Sequence, residues 1–250
     1  MNRIIVFFLG VFAVLGIAAQ SGVSHQPFDE LLQKYVDESG LVNYKGLKTE
    51  RPKLKSYLRM LEANEPKDAW SKDQQLSYWI NAYNAFTLEL ILTHYPVESI
   101  KDIGAAIKIP FVNTPWDIKF IKIGDDEKDL NNIEHGIIRK EFEEPRIHFA
   151  LVCAAFSCPK LQNKAYFPET LDAQLTDAAK DFLADPTKNE IKSSSEAELS
   201  KLFSWYRGDF TKKTSLEEFI SKYSEVKLDK GADLDYKDYN WDLNEQKPQE

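Results

Sequence analysis

The chain has 250 residues, 32 basic against 40 acidic side chains, a formal net charge of −8, four histidines and two cysteines. An acidic balance without a basic cluster argues against nucleic acid as a partner. The two cysteines, Cys153 and Cys158, are spaced for neither a thioredoxin-type pair nor a structural zinc motif, so no metal or other cofactor is expected.

Arg3 precedes an unbroken apolar run from Ile4 to Ala19, which closes in Ala18-Ala19-Gln20-Ser21. This is the pattern of a cleavable secretory signal over residues 1–20. The run is shorter than the roughly 20 residues of a spanning helix, and no basic stop-transfer cluster follows it. The mature protein is therefore expected to be periplasmic or secreted, with no stable membrane span. Loss of Arg3 takes its charge from −8 to −9. Residues 21–250 are long enough for one globular domain with its own core.

Phe28, Leu31, Leu32, Tyr35 and Val36 recur at helical spacing and stop at Gly40. A brief extended piece, Leu41 to Tyr44, leads to a second amphipathic helix marked by Leu54, Tyr57, Leu58 and Leu61. The segment from about Asp73 to His94 differs in kind, because its apolar residues cover every direction around the axis, as in a buried helix. Asn81 and Asn84, with Ser77 a turn earlier, share one stripe of it. A buried amide left unpaired costs roughly 1–3 kcal/mol, so each must hold a backbone group, a side chain, a water or a ligand.

Trp116 to Ile123 alternates partly and ends at Gly124-Asp125-Asp126, which predicts a strand entering a hairpin. Asp129 or Asn131 can cap the next helix, whose stripe is Leu130, Ile133, Ile137 and Ile138. Arg146 to Ala155 reads as a strong strand. A helix follows over Pro168 to Leu183, then two short strand or strand-helix pieces around Ser193-Ser194-Ser195, and a helix from Ser215 to Tyr223. The tail still carries Tyr239, Trp241 and Leu243, aromatics and an aliphatic that predict docking.

The chemistry-bearing residues cluster. Both cysteines and His148 fall between Arg146 and Pro159. In an oxidising space Cys153 and Cys158 can form a structural disulfide; they can also be buried thiols, or one can be a catalytic thiolate activated by a histidine or helix terminus. Alternation on a regular strand would put His148 and Cys153 on opposite faces, which leaves Cys158, beyond the strand, as the better nucleophile. Glu134 falls inside the apolar stripe of its helix. It must be paired, for example with Arg139 or Arg146, or else act as a general acid or base beside His135. His135 and His148 are too far apart in sequence for a metal motif.

The chain resembles the domain-of-unknown-function family numbered 547, found in bacteria and plants. The matching pieces are Tyr78-Trp79-Ile80-Asn81-Ala82-Tyr83-Asn84-Ala85, Asn132 to Arg139, Arg146 to Cys153, Ser157-Cys158-Pro159 and Tyr239 to Asn244. Together they span about Phe28 to Asn244. The resemblance identifies the domain and implies no activity. A buried helix on an antiparallel sheet is also similar to the papain-like and transglutaminase-like layout, with Asn81 where those enzymes carry the nucleophilic cysteine.

The expected architecture is a single α+β domain: a mostly antiparallel sheet, a central buried helix and several flanking helices. The expected function is a hydrolase or acyl-transfer enzyme on amide or peptide-like substrates. Cys158 would be the nucleophile, His148 or His135 the base, Glu134 an acid or base, and Asn81, Asn84 and Arg139 orienting or ligand-binding groups. The alternative is a non-catalytic domain that binds an unknown small molecule, peptide or protein and carries a Cys153–Cys158 disulfide.

Overall fold

The computed structural model describes residues 22–104 and 114–247. The expected signal segment lies outside them. α1 (Gln26–Tyr35) buries Phe28, Leu31, Leu32 and Tyr35; α2 (Tyr44–Thr49) and α3 (Arg51–Glu62) follow, and α1 and α3 pack together. Asn43 caps α2 by accepting the Gly46 N–H at 2.8 Å.

α4 (Lys72–His94) is the axis of the molecule, and all of it from Leu76 to Leu92 is buried. A capping box starts it: Ser71 Oγ accepts the Gln74 N–H at 3.1 Å while Gln74 Oε1 accepts the Ser71 N–H at 2.8 Å. The two buried asparagines find backbone partners. Asn81 Nδ2 donates to the Tyr166 carbonyl at 2.7 Å and its Oδ1 accepts the Tyr166 N–H at 2.9 Å. Asn84 does the same for Ala150 O (2.9 Å) and Val152 N (3.0 Å). Each amide thus replaces a neighbouring strand, pinning irregular chain to a helix.

That substitution explains where the fold departs from expectation. Arg146 to Ala155 is not a strand. Pro145 to Phe149 is a 3₁₀ turn, and the run beyond it is irregular, with only an isolated bridge from Ala155 to Leu243 and with Ala150 O and Val152 N taken by Asn84. Pro145 at the start of the turn favours its φ, and an apolar run buried on all sides carries no period to distinguish turn from strand. The expected hairpin after Trp116 shrinks to a bridge between Ile121 and Lys128 around Gly124, while Trp116 itself sits in a 3₁₀ turn, Pro115–Asp117.

Asp129 caps the next segment through the Asn132 N–H at 2.6 Å. Asn132–Ile138 is π-helical and runs into α5 (Arg139–Glu141), with the Arg139 N–H on the Glu134 carbonyl. This i to i+5 pairing is rare in proteins and recurs at functional sites. It puts Glu134 and Arg139, five apart, on one face.

α6 (Leu171–Ala184), α7 (Lys201–Trp205), α8 (Arg207–Phe210) and α9 (Leu216–Tyr223) form the C-terminal part with β1 (Glu190–Ser193), β2 (Glu196–Leu199) and β3 (Asp233–Tyr236). The α+β class and the central buried helix stand. The sheet is smaller than expected and mixed: β1 pairs antiparallel and β2 with β3 parallel. Its side chains Ala197 and Leu199 join a separate apolar cluster in which Phe149 packs on Phe182, Phe203, Phe210 and Phe219, whereas α4 packs chiefly on α3 and the π-helical segment. The tail docks: Leu243 N donates to Glu98 O at 2.7 Å, Asn244 N to Ala154 O at 3.1 Å, and Tyr44 Oη to Asn244 Oδ1 at 2.7 Å. No helix among the described residues is long and apolar enough to cross a membrane.

Candidate functional site

A cavity of about 450 Å³ opens where the π-helical segment, the chain from His148 to Pro159, α7 and the docked tail meet. Glu134, His135, Arg139, His148, Cys153 and Cys158 all line it. Asn81 and Asn84 do not, since their amides hold backbone, so they position the walls and face no ligand. His148 and Cys153, expected on opposite faces of a strand, share this cavity because the strand does not exist.

Cys153 and Cys158 are joined as a disulfide, so neither sulfur is a thiolate in this structure. Cys158 Sγ accepts the Cys153 N–H at 3.1 Å and the Tyr239 hydroxyl at 3.1 Å, and the same hydroxyl lies 3.4 Å from Cys153 Sγ. Ala154, between them, has φ +58°, a left-handed conformation uncommon for a residue with a Cβ. The tail fastens the loop: Phe156 N donates to Asp242 O at 2.7 Å and Ser157 N to Asn240 O at 3.1 Å.

Glu134 is 6% exposed. The expected ion pair with Arg139 or Arg146 does not form. The Glu134 carboxylate instead accepts the Tyr206 hydroxyl at 2.6 Å, and Tyr83 and Trp116 line the same cavity. Burial and then the Glu134 charge push both tyrosines well above their ordinary range, which keeps them as neutral donors. Arg139 is drawn away to Asp209, donating from Nε to Oδ2 at 2.6 Å and from Nη2 to Oδ1 at 3.1 Å. Arg146 is taken by Glu144 at 2.6 Å and Asp172 at 2.8 Å.

His148 is buried, stacks on Tyr206 with centroids 3.9 Å apart, and donates from Nε2 to Asp209 Oδ2 at 2.7 Å. A carboxylate oxygen can only accept here, so Nε2 carries the proton. Burial lowers the His148 pKa, against the opposing pull of Asp209. Asp209 in turn is held well below the usual carboxylate range, first by the His148 bond and further by Arg139. Neither histidine is hydrogen-bonded to either sulfur: His148 is committed to Asp209, and His135 Nδ1 to Arg139 at 2.8 Å.

The remaining wall is aromatic. Trp205, Tyr239 and Trp241 pack with centroid separations of 4.6–6.0 Å, and Trp116 meets Trp241 at 5.7 Å. Trp205 stays half exposed at the rim. A family model described as a protein of unknown function, DUF547, matches residues 67–183, which carry α4, the π-helical segment and the disulfide loop. The chain is a DUF547 domain-containing protein. The match ends before the docked tail, so the Tyr239 to Asn244 piece of the resemblance lies outside it. No curated protein and no solved structure matches the chain.

Sequence reasoning missed Tyr206, Asp209, Trp205 and Trp116 as site residues. Tyr239 and Trp241 had a signal, as aromatics in an otherwise polar tail. Trp205-Tyr206 was visible only as two aromatics where the second short strand or strand-helix piece ends, and Asp209 had none.

Proposed function

We propose that this DUF547 protein is an exported, non-catalytic binding domain whose aromatic cavity takes a small molecule or short peptide. The observation that carries the reading is the Cys153–Cys158 disulfide in the cavity wall, which removes the one nucleophile that the acyl-transfer alternative needs. The other polar groups of the cavity serve one another, as in a rigid binding site: Tyr206 on Glu134, Arg139 and His148 on Asp209. The volume, about 450 Å³, is in the range of small-ligand sites. Export is supported by the apolar run Ile4–Ala19 and by a bridge that persists in oxidising compartments.

A thermal-shift screen of the oxidised protein against a small-molecule and peptide library tests this. The expected result is stabilisation by particular compounds that disappears in Trp205→Ala, a half-exposed position whose truncation spares the core. Turnover of amide or ester substrates by the fully oxidised protein would overturn the reading.

The second reading, a hydrolase or acyl-transferase on amide substrates, belongs to the reduced protein. One observation favours it: the Cys153 N–H and the Tyr239 hydroxyl both aim at Cys158 Sγ and would stabilise a thiolate there. Amide hydrolysis that appears with dithiothreitol and vanishes in Cys158→Ser is its signature.

A further inference from the structure

We propose that the cavity selects a cation of the quaternary-ammonium class, with Glu134 as the counter-ion and the tryptophan and tyrosine rings as the walls. The inference rests on the binding reading above and adds the chemistry of the ligand.

Its first support is an account of charge around Glu134. A buried carboxylate is normally matched by a cation, because taking an isolated charge out of water is costly. The hydroxyl donor on Glu134, Tyr206 at 2.6 Å, is neutral and solvates the carboxylate without cancelling its charge. His135 Nδ1 lies 3.8 Å from Glu134 Oε1, which would be an ion pair only with a protonated ring. It is not protonated at that nitrogen. Arg139 Nη1 sits 2.8 Å from the same Nδ1, and a guanidinium can only donate, so Nδ1 accepts and its proton is absent. Arg139 itself is spent on Asp209 through Nε and Nη2, and one carboxylate cancels its charge. His148 faces the same space with its Nε2 proton on Asp209, and burial disfavours its charged form. Among the described residues, no lysine or arginine pairs with Glu134, so the cavity keeps one negative charge unmatched.

The second support is the wall. Trp116, Trp205, Tyr239 and Trp241 line the same space, beside a Tyr206 ring that stacks on His148 and already carries Arg139, and the face of an indole or phenol attracts a cation within about 6 Å of its centroid. The protein already uses these rings in this way: Arg139 lies 5.0 Å from the Tyr206 centroid and Lys101 Nζ lies 4.9 Å from that of Trp241. An anion would meet Glu134, and the one guanidinium in the lining, Arg139, is already held by Asp209. A neutral apolar ligand would fill the walls but leave the carboxylate unmatched.

Isothermal titration of the oxidised full chain with choline and with 3,3-dimethylbutan-1-ol, its uncharged isostere, isolates the charge. Choline is expected to bind at least tenfold tighter than the alcohol, and Glu134→Gln to bring the two to the same level. Trp205→Ala, with its fold checked by circular dichroism, is expected to weaken choline at least threefold. If the alcohol binds as tightly as choline, or Glu134→Gln keeps the choline affinity, the cation inference is overturned and the binding reading stands. If choline gives no heat at millimolar concentration, the cation inference is likewise overturned. The library screen then decides the binding reading separately.

Discussion

Two cavities of nearly equal size flank the Arg139–Asp209 pair, and they differ in how their charges are matched. The first, about 460 Å³, lies between α5, α6 and α9 and is rich in ions. Those ions largely answer one another: Arg146 meets Glu144 and Asp172, and Lys212 and Lys213 meet Glu143 at 2.7 and 3.0 Å. The second, about 450 Å³, is rich in aromatic side chains and holds one carboxylate, Glu134, that no lysine or arginine among the described residues pairs with. Volume does not separate a ligand site from a surface recess here. On the proposed binding reading, completeness of charge pairing does, because a matched set of ions gains little from a ligand and an unmatched buried charge gains much.

The largest effect should come from what builds the second cavity. Asn84→Ala leaves a buried carbonyl on Ala150 and a buried N–H on Val152 without partners, and should cost roughly 2–6 kcal/mol at about 1–3 kcal/mol per orphaned group. Urea unfolding checks this. A loss below about 1 kcal/mol would mean that the segment carrying one wall is held by something else.

A smaller effect is expected at the partition. Asp209 serves His148 and Arg139 but is about a third exposed, so Asp209→Asn should cost only about 1–2 kcal/mol near neutral pH. Its folded pKa lies below its unfolded one, so its stabilisation is full above the ordinary aspartate value of about 4 and is lost as pH falls below it. The melting-temperature gap between wild type and Asp209→Asn should therefore close in acid. His25 lies outside both cavities and must be separated from this. Burial takes it down to about 4 from 6.5, so it withdraws stability in both proteins as pH falls from 6.5 to 4, and the difference between them cancels it. A gap that is constant with pH would contradict the partition's role.

The smallest effect belongs to the first cavity. Lys212→Ala removes a fully exposed pair to Glu143, screened by solvent, and should leave the melting temperature unchanged. It should also leave ligand binding in the second cavity untouched. A change in that binding would join the two recesses into one site.

Much of this was legible in the sequence where one physical rule dominates. α4 announces itself because its apolar residues leave no polar face, and buried amides at Asn81 and Asn84 had to be partnered. What no rule supplied was the partner: backbone of segments 66 to 85 residues away, which holds those segments in place without a sheet. The same gap produced the false strand at Arg146–Ala155. The clustering of Glu134, His135, Arg139, His148 and the cysteines was visible because they lie on two neighbouring stretches. Tyr206 and Asp209 reach them only through the packing of α7 and α8, which no local pattern encodes. The π-helical turn that aligns Glu134 with Arg139 was equally hidden, since the stripe of Ile133, Ile137 and Ile138 suits an α-helix as well.

The state of two sulfurs separates binding from thiol chemistry. Peptide mapping by mass spectrometry of the native protein, alkylated before and after reduction, measures it directly. The expected result is a linked Cys153–Cys158 peptide with no label before reduction. Stoichiometric labelling of Cys158 in the unreduced protein would contradict the binding reading and restore the thiol as a reagent.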